Sequence, residues 1–244
     1  MAQAISSPTF KPLYQQIKML ITQSLISGEW GPGEAIPSEI ELAQRFHVSQ
    51  GTVRKAITEL AQENLLVRHQ GKGTFVASHS EERRKYHFLR LLPDDGGKIG
   101  TEGDLISCEK GKADAETAKL LEVGKGANLF LVTRLMRFGN EPVMDEEIRL
   151  PAALFKGLSA ERINEFHCRM YSMFESAYGI QILQVVEQIK AVTAQGDAAR
   201  RLGIPEGAPL LSIHRVSYTY GDKPVEVRRT LCNTQNHSYV NKIV

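Results

Sequence analysis

Residues 36–77 read IPSEIELAQRFHVSQGTVRKAITELAQENLLVRHQGKGTFVA, and the signals in this stretch decide the fold of the N-terminal part of the chain. Ser38 and Glu41 stand at the spacing of a capping box, in which each side chain binds the other residue's backbone amide. A short helix is therefore predicted to follow Ser38. Ser49 repeats the cap signal and predicts a second helix over about residues 50–64. Two helices joined by so short a turn form a helix-turn-helix.

The segment after the second helix predicts a two-stranded hairpin. A strand begins at Leu65, glycines at positions 71 and 73 permit a tight tip, and residues 74–76 return along it. The second helix of a helix-turn-helix presents its N-terminal side chains to base edges, and a basic hairpin suits phosphates or a minor groove. The residues that this arrangement offers to DNA are Gln50, Thr52, Arg54, Lys55, Arg68, Gln70, Gly71, Lys72 and Gly73.

A capped helix pair alone does not establish DNA binding, because such pairs are common in all-helical proteins. The formal net charge of +2 is also too small to indicate nucleic-acid binding, so any basic footprint must be local. Residues 1–90 carry 11 Lys and Arg against 8 Asp and Glu, whereas the remainder carries 19 against 20. The basic glycine hairpin at the expected distance from the helix pair is the observation that favours DNA binding.

Composition predicts a protein of the cytoplasm with two modest globular domains. The chain has 244 residues, of which 42% are hydrophobic and 24% charged, enough to form sizeable cores. Its three cysteines are scattered, without the paired spacing of a zinc site or a disulfide framework. We find neither a secretory signal pattern nor a run of ~18 apolar residues, so no membrane partner is expected.

The predicted domain boundary is a charged and poorly periodic segment, SHSEERRKYHF, at residues 78–88. It divides a DNA-binding domain at residues 1–77 from a second domain at residues 89–244, and Tyr86 and Phe88 are candidates for the start of the next strand. The adjacent Asp94 and Asp95 resemble half a metal motif, but no further ligand spacing supports one. We therefore expect a solvated turn there, with no metal and no cofactor.

The second domain contains an internal repeat. Residues 118–134 align with residues 199–215, and each copy continues into a turn followed by Pro-Val, at Pro142 and at Pro224. Each unit predicts a short helix, a tight turn, a long strand, a hairpin and another long strand. Two copies suggest one antiparallel sheet flanked by helices with pseudo-twofold symmetry, which makes the whole chain an α+β protein.

The N-terminal motifs resemble the winged helix-turn-helix domain of GntR-family transcription regulators over about residues 12–77. The matching positions are Pro12-Leu13-Tyr14, Ser27-Gly28-Glu29-Trp30, Pro32-Gly33, Pro37-Ser38-Glu39, Glu41-Leu42-Ala43, Val48-Ser49, Thr52-Val53-Arg54 with Ala56, and Gly71-Lys72-Gly73-Thr74-Phe75-Val76. The resemblance implies that Ser38, at the start of the first helix of the motif, also contacts DNA, beside Thr52, Arg54 and Gly71.

Two positions depart from the family pattern and change the expected DNA site. The family usually has Arg where this chain has Ile40 and where it has Gln50. Arg pairs bidentately with guanine, whereas Gln pairs better with adenine. The operator is therefore expected to differ from the family's usual one at those bases.

The repeated part resembles the UTRA ligand-sensing domain of the HutC subfamily of GntR regulators over about residues 87–243. Leu150-Pro151-Ala152-Ala153-Leu154-Phe155 and Tyr178-Gly179-Ile180 support this likeness, which implies a fold related to chorismate lyase. The resemblance places four residues at positions that contact effector in phosphosugar sensors of this type. These four residues are Arg134, Glu146, Tyr171 and Glu226.

Departures from that pattern indicate a different effector. Phosphosugar sensors usually have a second Arg at the position of Met136 and a Ser at that of Arg169. Arg134 and Arg169 could instead clamp a carboxylate, so we expect a small anionic metabolite other than a phosphosugar.

Structural roles remain open for the same residues. Arg134 and Glu146 could form an ordinary cross-strand ion pair, and Tyr171 could belong to the core. Glu147, Glu226 and Arg228 could be solvated strand positions.

These observations predict a ligand-responsive transcription regulator, a repressor that binds palindromic double-stranded operator DNA as a homodimer. The alternative is a small-molecule-converting enzyme of chorismate-lyase-like fold. No nucleophile elbow, phosphate loop or zinc signature supports it, and His167-Cys168 is only an adjacency in sequence. We therefore expect no catalytic residues.

Overall fold

The structure is a computed structural model that describes residues 11–78, 90–96 and 101–241. The chain forms two compact units, residues 1–78 and residues 79–244. Apart from Ser78, the predicted linker at residues 78–88 lies outside the described residues, as do Tyr86 and Phe88. No helix in the part of the chain that the structure describes is long and apolar enough to cross a membrane.

The first unit is a three-helix domain with a hairpin. Its elements are α1 (Leu13–Ile26), α2 (Glu39–Phe46), α3 (Gln50–Gln62), β1 (Leu66–His69) and β2 (Gly73–Val76). The three helices share an apolar core that includes Ile17, Ile21, Leu42, Val53, Ile57 and Leu60.

The capping box predicted for α2 is confirmed. The Ser38 hydroxyl accepts from the Glu41 amide at 3.3 Å, and the Glu41 carboxylate accepts from the Ser38 amide at 2.8 Å. Helix α2 ends where His47 enters the left-handed region, and Ser49 then caps α3 by accepting from the Thr52 amide. Helix α3 is slightly shorter than predicted because Asn64 also has a positive φ.

The predicted hairpin is present, with β1 and β2 antiparallel from Leu66 opposite Val76 to His69 opposite Gly73. Gly71 has φ of 73° and Gly73 has φ of 114°, values that L side chains rarely adopt. The tip of the hairpin therefore depends on glycine at both positions. The hairpin is the wing of the helix-turn-helix domain.

The second unit is built on a six-stranded sheet. Its elements are β3 (Leu91–Pro93), β4 (Thr101–Lys112), α4 (Ala115–Leu120), β5 (Asn128–Phe138), β6 (Glu141–Pro151), α5 (Ala160–Glu165), α6 (Met170–Tyr178), β7 (Gln184–Thr193), α7 (Gly196–Leu202), β8 (Pro209–Thr219), a 3₁₀ turn (Tyr220–Asp222), β9 (Lys223–Asn233) and β10 (His237–Tyr239). The large sheet has the order β4-β5-β6-β9-β8-β7 with antiparallel neighbours, and β3 pairs with β10 in a separate ribbon.

The strand order confirms the internal repeat. One copy consists of β4, α4, β5 and β6, and the other consists of β7, α7, β8 and β9, so that β6 and β9 meet at the centre of the sheet. The sequence predicted only two long strands in each copy. This prediction was incomplete, because a further strand, β4 or β7, precedes the helix of each copy. Strands β4 and β7 form the two edges of the sheet, where most residues are half-buried or exposed.

The two faces of the sheet are covered differently. Helices α4 and α7 cover one face, and each packs on strands of the other copy as well as its own. Helices α5 and α6 lie on the opposite face, where the ring centroids of Phe155 and Phe174 lie 4.6 Å apart with the rings tilted by 54°. Even-numbered residues of β5 and β6 point to this second face, and a cavity opens there.

Candidate DNA-binding surface and effector cavity

The predicted DNA-contacting residues lie at the exposed N-terminal end of α3, beside it on Ser38, and along the wing. All ten are exposed except Thr52, which is half-buried and whose hydroxyl lies 2.9 Å from that of Ser49. The residues concerned are Ser38, Gln50, Thr52, Arg54, Lys55, Arg68, Gln70, Gly71, Lys72 and Gly73.

One acidic residue that sequence reasoning did not single out lies among them. The Glu39 carboxylate accepts from Arg54 Nε at 2.8 Å and from Arg68 Nη2 at 3.1 Å. Gln50 Nε2 lies 3.4 Å from the same carboxylate. The capping-box pattern draws attention to Ser38 and Glu41 rather than to Glu39, which lies between them.

Lys55 is oriented away from that cluster. Its ammonium lies 3.8 Å from the centroid of the Tyr14 ring on α1, a cation–π contact. A DNA contact by Lys55 would compete with this packing, whereas Lys72 at the wing tip is exposed between two glycines.

The second unit holds a cavity of about 770 Å³ between the sheet and the first turn of α6. Four of the five predicted effector residues line it: Arg134, Glu146, Arg169 and Tyr171. The fifth, Glu226, does not. Its side chain is fully buried against Arg228 and Ser217, so the geometry assigns it to holding the cavity wall rather than the effector.

Arg134 and Glu146 form the cross-strand ion pair that the sequence left open. They lie directly opposite each other on β5 and β6, and Arg134 Nε donates to Glu146 Oε2. Arg134 Nη1 also donates to the carbonyl oxygen of Cys168. Burial alone would raise the pKa of Glu146, but the charges of Arg134 and Arg228 outweigh burial and lower this pKa to about 2. The pair is therefore ionised inside the cavity wall.

Two further arginines line the cavity, at the positions of the second repeat copy that correspond to Arg134 and Glu146 in the first. Arg215 has in β8 the position that Arg134 has in β5, and Arg228 faces Arg215 as Glu146 faces Arg134. The alternative that Arg228 and Glu226 are solvated strand positions is wrong, since both side chains are buried. The repeat alignment was the signal that could have found Arg215 and Arg228.

Each of these arginines has a carboxylate partner. Arg215 Nε donates to Glu187 at 2.7 Å, and Arg228 donates through Nε to Glu226 at 2.6 Å and through Nη1 to Glu146 at 3.2 Å. With Arg134 included, three arginines face three glutamates. The positive charges of these three arginines are therefore compensated by glutamates.

Tyr171 connects this network to helix α6. Its hydroxyl lies 3.0 Å from the Ser217 hydroxyl and 3.3 Å from Arg215 Nη1, and its ring lies beneath the Arg228 guanidinium. Burial, with the charge of Glu226, raises the pKa of Tyr171, so the phenol stays protonated. Tyr171 is consequently both a packed residue and a cavity-lining one.

Arg169 differs from the arginines of the sheet, because its hydrogen bond is to a backbone carbonyl and not to a carboxylate. It precedes the first residue of α6, its side chain is exposed, and its Nε donates to the Phe166 carbonyl at 3.2 Å. No side chain caps α6, and Met170, Tyr171 and Ser172 of its first turn line the cavity. Backbone amides at a helix N-terminus and a nearby guanidinium both favour an anion.

Cys168, which follows His167 in the sequence, lines the cavity. Cys168 is buried, and burial raises the pKa of its thiol, which disfavours the nucleophilic thiolate. No cluster suited to a metal ion occurs among the described residues. The Asp94 carboxylate instead accepts from the Ser238 hydroxyl on β10.

Comparison with known proteins identifies both units. Residues 13–76 match the model of the family described as bacterial regulatory proteins, gntR family, and residues 97–238 match that of the UTRA domain. The fold of a winged helix-turn-helix followed by a repeated antiparallel sheet agrees with these two matches.

Relatives over most of the chain are transcription regulators. An HTH-type transcriptional regulator from Mycobacterium tuberculosis is 32% identical over 88% of this chain and 80% of its own length. The HTH-type transcriptional repressor NagR from Bacillus subtilis is 28% identical over 94% of each chain. A solved ligand-binding domain from Bordetella bronchiseptica, assigned to a GntR-family transcriptional regulator, is 35% identical, with a TM-score of 0.61 over 64% of this chain and 97% of that one. The chain therefore belongs to the GntR family and carries a UTRA domain, and it is a ligand-responsive DNA-binding transcription regulator rather than an enzyme.

Proposed function

We propose that the protein is a repressor of the HutC subfamily that binds a palindromic operator as a homodimer and is released by a small anionic metabolite. The observation that carries the proposal is the pairing, in one chain, of an exposed basic winged helix with a separate cavity of about 770 Å³. Its domains are residues 1–77 and 89–244, joined by the linker at 78–88. Its DNA partner implies a cytoplasmic location.

DNA binding is proposed to use the N-terminal end of α3 in the major groove and the wing on the backbone or in the minor groove. Arg54 is the main candidate for a base contact, because its side chain is exposed on α3 and its guanidinium is held at one edge only. One recognition helix buries little surface, so two copies on neighbouring half-sites support specific binding.

The effector is proposed to be an anion with a carboxylate group. Arg134 is already bound to Glu146, so the carboxylate would be met at the first turn of α6, by its amides and by Arg169. Because glutamates already accept from Arg134, Arg215 and Arg228, fewer donors on the sheet are open to a phosphate ester, which favours several converging donors. This compensation supports a carboxylate over a phosphosugar.

The test begins with the operator, selected from a pool of random duplexes with the full-length protein. The protein is then screened by thermal unfolding against small mono- and dicarboxylates, with glucose 6-phosphate, as a simple phosphosugar, and inorganic phosphate as comparison ligands. A ligand at 100 times its dissociation constant should stabilise the protein by ~2.7 kcal/mol. A stabilising carboxylate should also lower affinity for the selected operator.

Two variants, one at the proposed site and one matched control, test where the carboxylate binds. Arg169→Ala should reduce affinity for that carboxylate about tenfold or more, since it removes a charged partner. Arg162→Ala removes the same charge from neighbouring α5, where Arg162 is exposed and pairs with Glu165, and should leave affinity unchanged. Stabilisation by the phosphate compounds alone would overturn the carboxylate proposal, and failure to select any operator would overturn the proposed mode of DNA binding.

A further inference from the structure

The acidic residue among the predicted DNA contacts has a geometry that its helix does not require. Glu39 is the first residue of α2, where a negative charge stabilises the helix through its dipole. Glu41, in the same turn, already provides such a charge and completes the capping box. The Glu39 carboxylate instead reaches α3 and β1, where it binds Arg54 and Arg68.

The contact with Arg54 uses one particular edge of the guanidinium. Glu39 Oε2 accepts from Arg54 Nε at 2.8 Å, which leaves the two terminal nitrogens without a protein partner among the described residues. A bidentate contact to guanine needs two parallel N–H donors directed at O6 and N7. The terminal pair of Arg54 therefore remains available for a base while its orientation is fixed by the carboxylate.

Arg68 completes the arrangement from the wing side. Its Nη2 donates to Glu39 Oε1 at 3.1 Å and lies 3.4 Å from the carbonyl oxygen of Arg54. One carboxylate is thus shared by two cations, so the cluster keeps a net positive charge. Such exposed ion pairs contribute little to stability, which leaves orientation as the larger effect of Glu39.

We infer that Glu39 is a positioning residue for DNA readout: it holds Arg54 in the orientation that reads a guanine and fixes the wing residue Arg68 against α3. This inference rests on the proposed contact between Arg54 and the operator. Holding a flexible side chain in its bound orientation reduces the entropy lost on binding and favours the matching base over others. Glu39 therefore acts on specificity more than on total affinity.

The experiment measures binding of the full-length protein to two duplexes, the selected operator and the same operator with the guanine that depends on Arg54 changed to adenine. That guanine is the position at which Arg54→Ala loses discrimination. Glu39→Gln keeps the size of the side chain but removes its charge, and should reduce the preference for guanine roughly tenfold. Binding to random-sequence DNA should be unchanged or tighter, because a negative charge has left the surface.

Glu63→Gln is the matched control. Glu63 lies at the other end of α3, where it pairs with Lys18, and its substitution changes the net charge by the same amount. It should leave the preference for guanine intact. In the Arg54→Ala background, Glu39→Gln should have no further effect on that preference, because Glu39 acts through Arg54.

Three outcomes would overturn the inference. Equal tightening on both duplexes would mean that Glu39 only repels DNA. An additional loss of specificity in the Arg54→Ala background would mean that Glu39 reads a base directly, as a carboxylate can by accepting from cytosine N4. An unchanged preference in Glu39→Gln, together with a loss in Arg54→Ala, would refute positioning by Glu39 while leaving the proposed contact of Arg54 intact. If Arg54→Ala itself had no effect, the proposed DNA contact would fail first.

Discussion

Arg54 and Lys72 are held differently, and this difference determines how each can act on DNA. The Arg54 guanidinium is fixed through Nε on the rigid α3 helix, whereas the Lys72 ammonium extends from the wing tip between two glycines. A fixed planar group suits the edge of a base, and a free point charge suits phosphate oxygens. The two residues should therefore affect specificity and salt dependence separately.

Substitution of each residue by alanine tests this separation. Arg54→Ala should weaken binding to the selected operator by about 1–3 kcal/mol while leaving binding to random DNA less affected. Lys72→Ala should weaken binding to all sequences alike and reduce the slope of log affinity against log salt by about 1. Salt titrations by fluorescence anisotropy measure both quantities. Lys125→Ala, at an exposed turn of the second unit, is the control for charge. If both variants bound the operator as the wild type does, neither residue contacts DNA.

The ionised Glu146 gives the second unit a defined dependence on acid. Its pKa is about 2 in the folded protein against an ordinary value of 4.5, so the unfolded chain takes up the proton first as pH falls. The stability that Glu146 contributes is therefore complete above about pH 4.5 and is lost progressively as pH falls towards 2. Glu146→Gln should be less stable than the wild type at pH 7, and this difference should shrink over that pH range.

Urea unfolding at several pH values measures this effect. Glu147→Gln, on the opposite side of the same strand and half-buried, provides the control at the neighbouring position. A stability difference between Glu146→Gln and the wild type that stayed constant from pH 7 to pH 3 would contradict the assignment.

At the scale of elements, the helices of the two repeat copies, α4 and α7, are held on the sheet by different kinds of contact. Arg201 on α7 donates to both oxygens of the buried Asp145 on β6, at 2.8 and 2.7 Å. Leu120 on α4 has the equivalent position in the first copy, and it packs in the same apolar cluster as Val227 on β9. One helix is therefore fixed by a salt bridge where the other is fixed by apolar contact.

The other copy supplies the replacement for this pair. Asp145→Val alone should destabilise the protein by about 3 kcal/mol, because it removes the buried carboxylate that accepts two hydrogen bonds from Arg201 and leaves only the 3.7 Å contact with the exposed Asp197. The double variant Asp145→Val/Arg201→Leu should recover most of that loss, since an apolar pair of similar size can replace a buried ion pair. Denaturant unfolding measures both effects.

The exposed Arg200 is the matched control on the same helix, and Arg200→Leu should change stability by less than about 0.5 kcal/mol. A double variant that was no more stable than Asp145→Val alone would refute the equivalence of the two sites.

The elements that local signals specify were predictable from the sequence, and those that depend on long-range packing were not. Ser38 and Ser49 fixed the starts of α2 and α3 because a cap depends on neighbouring residues only. The edge strands β4 and β7 were missed, since each pairs with a strand that follows an intervening helix, and no local turn signal marks the pairing.

Some of the residues that line the cavity were predictable from the sequence, and others depend on how the sheet folds. Resemblance indicated Arg134 and Tyr171, but only the folded sheet shows that Glu226 lies behind the wall. The repeat alignment could also have indicated Arg215 and Arg228, which the sequence prediction did not assign to the cavity. Their carboxylate partners, which decide how much charge the cavity offers, depend on strand register and could not be read from the sequence.

At the scale of the whole molecule, the strand that follows the linker also lines the cavity. Arg90 and Leu91, next to residues 79–89, are part of the cavity wall, and the Arg90 carbonyl accepts from the Val240 amide at 2.8 Å. Strand β10 is in turn held by Tyr239, whose hydroxyl donates to Glu187, the partner of Arg215. A continuous set of contacts thus joins the cavity to Arg90, close to the C-terminal end of the proposed linker.

Tyr239→Phe tests whether these contacts carry the response to effector. Burial and the Glu187 carboxylate raise the pKa of Tyr239 to about 12, so the hydroxyl remains a donor, and the substitution removes only that hydrogen bond. We expect the ratio of operator affinities without and with effector to fall several-fold, while operator affinity without effector stays the same. Because coupling is reciprocal, the effect of operator on effector affinity should fall by the same factor. Ser238→Ala removes the neighbouring hydrogen bond to Asp94 and should preserve the ratio. An unchanged ratio in Tyr239→Phe would mean that the effector signal does not pass through the β3-β10 ribbon.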